Sequence, residues 1–281
     1  MPELPEVETV RAYLAAHLVG CRLDQIELRR SDLRYPIPTG AVHALQFMEI
    51  VAVRRRAKYL LVDLRSSGGS EQTAIVHLGM SGRLFVEAER PDHWQKHEHW
   101  RFDLIQSNAV LYLRYVDARR FGSLDVWATA DLARHPLLAN LGVEPLENMF
   151  SGSYLFDRTR TVRQGIKVAI MDGHSVVGIG NIYASETCFR ARVDPRRSAQ
   201  SLDLTECNDL VDAAKAVLRA AIAAGGSTLR DFIGGDSAPG YFQQQLDVYG
   251  RDGQKCQRCS GVVQRLLLGQ RATFYCGNCQ K

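Results

Sequence analysis

Hydrophobic and polar residues change their period along this chain. From residue 22 to 127 they alternate one by one, most plainly in Leu60-Val62-Leu64, Trp100-Phe102-Leu104 and Leu111-Leu113-Tyr115, the period of antiparallel strands with one buried face. A short helical opening precedes them. Later the spacing lengthens: Cys207, Leu210, Val211, Ala214, Val217, Leu218, Ala221 and Ile222 recur every three or four residues, which predicts one strong amphipathic helix. Asp203 with Glu206 three residues on reads as its capping-box start, and Gly225-Gly226 as its stop. Residues 134–149 carry Pro and Asn punctuation without sustained period and mark the linker. The pattern thus divides the chain into a β domain (1–133), the linker, a helical domain (150–244) and a C-terminal module (245–281). Within the helical domain the Gly-rich stretch 225–242 is too polar and too broken for a helix, and loops of that length usually serve function.

A length of 281 residues suits two folding units at ~150 residues each. With 46% hydrophobic and 23% charged residues the composition is that of an ordinary globular protein. No window reaches the ~20 apolar residues of a membrane span. The opening Met-Pro-Glu-Leu-Pro-Glu lacks the basic and apolar regions of a secretory signal, so a cytoplasmic location is expected. A monomer is the default expectation, because no stretch reads as an oligomer interface. The net charge is only +4, but residues 251–281 hold six Lys/Arg against the single Asp252, a local basic excess that suits a polyanionic partner.

Of seven cysteines, four form two tight pairs, Cys256-x2-Cys259 and Cys276-x2-Cys279, separated by 16 residues. Two such turns present four thiolates to one tetrahedral zinc ion. Four thiolates leave no open position, so the metal is structural. Cys21, Cys188 and Cys207 read as small core hydrophobes. Arg271 lies between the zinc pairs, where it serves equally as a phosphate ligand or as a solvated surface arginine.

Loss of Met1 would leave Pro2 as a secondary amine at a helix start, with Glu3 beside it and Glu6 one turn on. An α-amine titrates near ~7.7–8.0, and the positive end of a helix dipole favours its neutral form. Such an amine attacking a sugar C1′ would give a permanently cationic iminium, a good electron sink. The plainer reading is that Pro and Glu are simply good first-turn residues. Lys58 closes the basic run Arg54-Arg55-Arg56-Ala57-Lys58, by itself a solvated strand edge. Met80 and Phe121 read by default as core, and Gly178-Ile-Gly180-Asn181 as a weak phosphate-binding turn.

The blocks MPELPEVET (1–9), AKYLL around Lys58, HLGMSGRL (77–84), DARRFG (117–122), VVGIGNIYASE (176–186), PGYFQQQLDVYGR (239–251) and the terminal QRATFYCGNCQK together resemble the bacterial formamidopyrimidine-DNA glycosylase family. The likeness runs from end to end. It implies an α+β multidomain chain: an N-terminal antiparallel β-sandwich with flanking helices, a helix-two-turn-helix domain and a β-hairpin zinc finger, with damaged duplex DNA held between the halves. It implies a bifunctional glycosylase and AP lyase for oxidised purines such as 8-oxoguanine. In that scheme Pro2 is the Schiff-base nucleophile, Glu3 the acid/base, Lys58 the lysine of base excision and β-elimination, and Arg271 the finger arginine of phosphate grip and δ-elimination. Met80, Arg119 and Phe121 match the side chains that fill the gap left by the extruded nucleotide, as apolar wedges do in opened duplexes. His77, His97, Lys167, Asn181 and Tyr249 match DNA-contacting or site-lining positions. Arg163 falls near a basic position of the family, beside Val162 where a cation is common. Ala118 replaces a frequent proline.

Two rivals remain at this stage. The endonuclease VIII branch shares the proline chemistry but prefers oxidised pyrimidines; Leu4 and the long 225–242 stretch weigh against it. A zinc-dependent DNA-binding protein without catalysis would need no free Pro2.

Overall fold

The computed structural model describes residues 2–107, 109–226 and 246–281. The expected loop at 225–242 therefore lies outside the described residues from 227 onward. Two compact units emerge, one built from residues 2–139 with 225–226, the other from 140–224 with 246–281.

The first unit opens with helix α1 (Leu4–Leu18), which buries Leu4, Val7, Val10, Leu14 and Leu18 along one stripe. Strand β1 (Arg22–Leu28), the short helix α2 (Thr39–His43), and strands β2 (Glu49–Arg56), β3 (Tyr59–Arg65), β4 (Glu71–His77), β5 (Gly82–Glu87), β6 (Glu98–Gln106), β7 (Ala109–Asp117) and β8 (Ser123–Ala128) follow. They form one antiparallel ladder in the order β5-β7-β6-β1-β2-β3-β4-β8. Strands β1 and β2 meet at a single pair, Arg22 with Glu49. The two sheets of the expected sandwich are thus halves of one ladder folded on itself at that seam. Leu23, Leu84, Trp100 and Leu113 of one half face Ile50, Leu60 and Val76 of the other across an apolar void of about 20 Å³. A gap of that size lined only by hydrocarbon stays dry.

The simple inside-outside alternation fails at β6, where seven consecutive residues are buried. Trp100, Phe102 and Leu104 enter the core as expected. On the opposite face, Arg101 lies under the 91–97 segment: it donates to the carbonyls of Pro91 and His93, pairs with Glu98, and stacks 4.3 Å from the Trp94 ring. Arg114 of β7, almost wholly buried, joins Glu98 at 3.3 Å and also pairs with Glu87. Burial alone would raise the Glu98 carboxyl, but the Arg101 hydrogen bond and the Gln95 amide outweigh it and hold it below its ordinary value. Paired in this way, the charges tolerate burial.

In the second unit the linker is docked rather than free. Gly142 donates to Gly173 O at 2.8 Å and Val143 to Ser175 O at 3.1 Å, an approach only glycine allows, since a Cβ on Gly142 would sit 2.1 Å from Ser175 O. Helices α3 (Gly152–Thr159), α4 (Ile166–Ala169), α5 (Asn181–Arg190) and α6 (Leu204–Ala223) pack around Phe150, Leu155, Tyr183, Leu210 and Leu218. The α6 cap is the one expected: Asp203 accepts the Glu206 amide at 2.8 Å and Glu206 returns a bond to the Asp203 amide at 3.0 Å. The helix ends at Ala223, and Gly225 and Gly226 follow with φ of 77° and 85°. Strands β9 (Gln264–Leu268) and β10 (Arg271–Tyr275) form the C-terminal hairpin. Its two turn residues, Gly269 and Gln270, have φ of 52° and 61°, as a type I′ turn requires.

Asp203→Ala removes the α6 cap and is expected to lower stability by ~1 kcal/mol, seen as a fall in the urea midpoint with unchanged slope. An unaltered midpoint would mean the cap contributes nothing.

Candidate functional site

In the first unit the expected nucleophile sits in a constrained turn. Pro2 is buried and Glu3, 3% exposed, is the N-cap of α1. Glu6, 1% exposed, accepts the Glu3 amide at 2.8 Å. The peptide joining Pro2 to Glu3 is therefore fixed by α1 itself.

Lys58 occupies the two-residue turn between β2 and β3, after Ala57 at φ 53°. Arg55 ties this turn to α1: it donates to Glu8 at 2.8 Å and to the Ala57 carbonyl at 2.8 Å. His77 ends β4 opposite Tyr59, their rings 4.9 Å apart. Burial, then Lys58 and Arg34, push the His77 imidazole down to about 4. The Gly79 amide donates to its Nδ1 at 3.0 Å, so the neutral ring carries its proton on Nε2.

The turn after β4 and the turn after β7 interlock. A Cβ on Gly79 would lie 2.4 Å from the Phe121 backbone, and Gly79 has φ 63°. Both turns hang on Asp117, which is fully buried. Its carboxylate accepts Ser81 Oγ at 2.5 Å, Tyr115 OH at 3.2 Å, the Arg119 amide at 3.2 Å and the Gly122 amide at 2.9 Å. Met80 is half-buried on the first turn. On the second, Phe121 is 42% exposed with the Arg119 guanidinium 4.7 Å over its ring. Met80 and Phe121 are thus turn residues, not core. His97, exposed at φ 65°, accepts the Asp117 amide through its carbonyl. It borders a groove of about 490 Å³ with Arg29, Arg30, Lys96 and Arg120, a concentration of cations that attracts phosphate.

In the second unit Asn181 opens α5 after the Gly180 N-cap. Its Nδ2 donates to Ala272 O at 2.9 Å and reaches Tyr249 OH at 3.5 Å. Lys167, expected at a DNA contact, is wholly buried, with Nζ bonded to Asn181 Oδ1 at 2.5 Å, Thr273 Oγ1 at 2.8 Å and Ala272 O at 3.2 Å. Arg271, next in chain to these acceptors, is exposed at the start of β10. Glu186, buried on α5, accepts the amides of Asp247, Val248 and Tyr249 at 2.8–3.0 Å, and Tyr249 packs edge-on against Phe274. Arg163 is exposed between α3 and α4, apart from this cluster of bonds.

The four finger cysteines bring their Sγ atoms within 4.8 Å of one another. The cross pairs are Cys256 with Cys279 at 3.8 Å and Cys259 with Cys276 at 3.5 Å, against the ~3.8 Å edge of a tetrahedron with Zn–S bonds of ~2.3 Å. The Arg258 and Gly261 amides donate to Cys256 and Cys259 Sγ, as thiolate ligands require. One structural zinc fits this donor set. Reading the residues singly did not single out four supports: Asp117 and Ser81 in the first unit, and Glu186 and Thr273 in the second. Only Asp117 and Glu186 carried a signal, as acids inside motif blocks.

Two outcomes follow from this geometry. Between pH 6.5 and about 4 the unfolded chain protonates His77 while the native state does not, so stability falls as pH drops through that window. Native-state NMR should show His77 as the neutral Nε2–H tautomer; a resonance titrating near 6.5 would contradict the burial argument. Cys276→Ser is expected to release zinc, loosen the hairpin and weaken duplex DNA binding. A variant that keeps one zinc per chain and full affinity would refute the finger's assigned role.

Comparison with known proteins matches this architecture piece by piece. Residues 1–124 match the formamidopyrimidine-DNA glycosylase N-terminal domain, 141–233 its H2TH domain, and 253–281 the zinc finger found in FPG and IleRS. The formamidopyrimidine-DNA glycosylases of Laribacter hongkongensis and Stenotrophomonas maltophilia are 49% and 48% identical, with full coverage of both chains. A Lactococcus lactis FPG mutant solved with a Fapy-dG containing DNA superposes with a TM-score of 0.88 at 30% identity, covering 100% of each chain. The same organism's Fpg in complex with an abasic site containing DNA gives 0.86 at 29% identity, over 99% of each. Its three domain matches and its full-length relatives make this chain a member of the formamidopyrimidine-DNA glycosylase family.

Proposed function

We propose that Pro2 is the nucleophile with which this DNA glycosylase and AP lyase releases oxidised purines and then cuts the strand. The amine nitrogen attacks C1′ of the damaged nucleotide, the glycosidic bond breaks, and the base leaves with a proton. Glu3 delivers a proton to the ring oxygen as the sugar opens, leaving C1′ joined to Pro2 as an iminium. Loss of the C2′ proton expels the 3′ phosphate, loss of the C4′ proton expels the 5′ phosphate, and water frees Pro2. The observation that carries this reading is the buried Pro2–Glu3 turn held by the Glu6 carboxylate, a preorganised first turn with a proton donor adjacent to the amine.

The remaining roles follow from charge and exposure. Lys58, clamped towards α1 through Arg55 and Glu8, assists base excision and β-elimination. Arg271 grips the phosphate that departs in δ-elimination. Met80, Arg119 and Phe121 fill the gap left by the everted nucleotide. His77, His97, Asn181, Tyr249 and Arg163 meet the DNA backbone, whereas the buried Lys167 supports Asn181 and β10 instead of touching DNA with its own ammonium. The enzyme acts as a single chain, and no helix among the described residues is long and apolar enough to cross a membrane. On this reading it works in the cytoplasm, associated with the nucleoid through its DNA substrate.

Borohydride trapping tests the reading. A duplex with 8-oxoguanine opposite cytosine should give a covalent adduct that Pro2→Gly reduces at least tenfold, with weaker trapping on a matched 5-hydroxycytosine duplex. Stronger trapping on the pyrimidine would reverse the substrate assignment. Undiminished trapping by Pro2→Gly would remove Pro2 from its role.

A further inference from the structure

Behind the first turn of α1 lies a contact that no catalytic role explains. Gly226 is buried, with φ 85°, and its backbone is pressed onto Glu6. A Cβ there would meet Glu6 Cγ and Oε1 at 3.2 Å and Glu6 Cα at 3.4 Å. Contacts at 3.2 Å are too close for carbon, so one of the two must give way by a few tenths of an ångström. The same Glu6 carboxylate, through its other oxygen, holds the Glu3 amide at 2.8 Å. One short path therefore runs from Gly226 through the Glu6 side chain to the peptide that follows Pro2.

We infer that Gly226 is a positioning residue for the nucleophile: its missing side chain lets Glu6 stay in the rotamer that fixes the Pro2–Glu3 peptide. This rests on the reading of Pro2 as nucleophile. The glycine is required on two counts. An L side chain at φ 85° is strained, and its Cβ would displace the carboxylate that caps the turn. A displacement of a few tenths of an ångström at a reacting group costs rate rather than affinity, because misplacement of ~1 Å already costs about a hundredfold.

The geometry distinguishes this role from one in recognising the lesion. A residue that served only to read the damaged base would matter for base excision and not for the lyase step on a preformed abasic site, where the base is already gone. A residue that positions Pro2 matters equally for both.

The test is single-turnover excision of 8-oxoguanine and borohydride trapping on a preformed abasic duplex, with affinity for a non-cleavable abasic analogue measured in parallel. Gly226→Ala should slow both reactions by the same factor, about tenfold, with affinity unchanged within twofold. Glu6→Ala alone should also slow both, and in that background Gly226→Ala should cost several-fold less than in the parent, because the Cγ and Oε1 it would strike are gone and only the strain at φ 85° and the Glu6 backbone contact remain. A loss confined to excision, the same loss persisting in the Glu6→Ala background, or wild-type rates in either single variant would overturn the inference. Pro2→Gly run beside them separates the two layers: if it traps as well as the parent, the nucleophile reading fails. If it does not trap while Gly226→Ala is normal, only the positioning role fails.

Discussion

The carboxylate of Asp117 is the constraint on which the two interlocked turns depend. A turn that must present a phenylalanine to solvent cannot bury that ring to stabilise itself. Here the missing apolar stabilisation is replaced by four hydrogen bonds to one fully buried anion, from a serine, a tyrosine and two amides. Charge-assisted bonds are stronger and more directional than neutral ones. Gly79 completes the lock, since its backbone lies where a Cβ would collide with Phe121. In the role proposed for Met80, Arg119 and Phe121, rigidity matters because an unstacked base pair is held open only by a filler that does not itself yield.

The second unit solves the same problem with the opposite sign. Lys167 is a buried lysine bonded to acceptors at the start of α5 and on β10, so the helix that carries Asn181 and the strand that carries Arg271 share one anchor. Glu186 does likewise for the 247–249 segment, accepting three consecutive amides. In both units a buried, hydrogen-bonded polar side chain stands behind the segments proposed to meet DNA. Removing one partner of such a group leaves an uncompensated charge in the interior, which is far more costly than losing a surface pair.

What could be read from the chain and what could not divides along sequence distance. Helix α6 was legible in full, because cap, period and glycine stop are all local. The zinc cluster was legible because each pair of ligands is three residues apart and the chemistry of four thiolates admits few alternatives. The burial of β6 on both faces was not, because it depends on the 91–97 segment folding over Arg101. Nothing local to Lys167 shows that it is a buried support; its partners lie 105 and 106 residues later. Met80 and Phe121 look like core residues by composition, and only the interlocked turns leave Met80 half-buried and Phe121 exposed. Pro2, Glu3 and Lys58 were found through family likeness; the structure adds the Glu6 and Arg55 bonds that give their placement a physical basis.

The thiols have a bearing on survival under the conditions that create this enzyme's substrates. Cys21, Cys188 and Cys207 are sealed in the two cores, and burial pushes Cys188 up to about 12 and Cys207 up to about 11. Peroxide reacts with thiolates, not with dry protonated thiols. The protein's cysteine sensitivity to oxidation is therefore concentrated in the four sulfurs of the finger, so that excess oxidant would disarm the finger's grip on DNA and leave the α1 turn that carries Pro2 chemically intact.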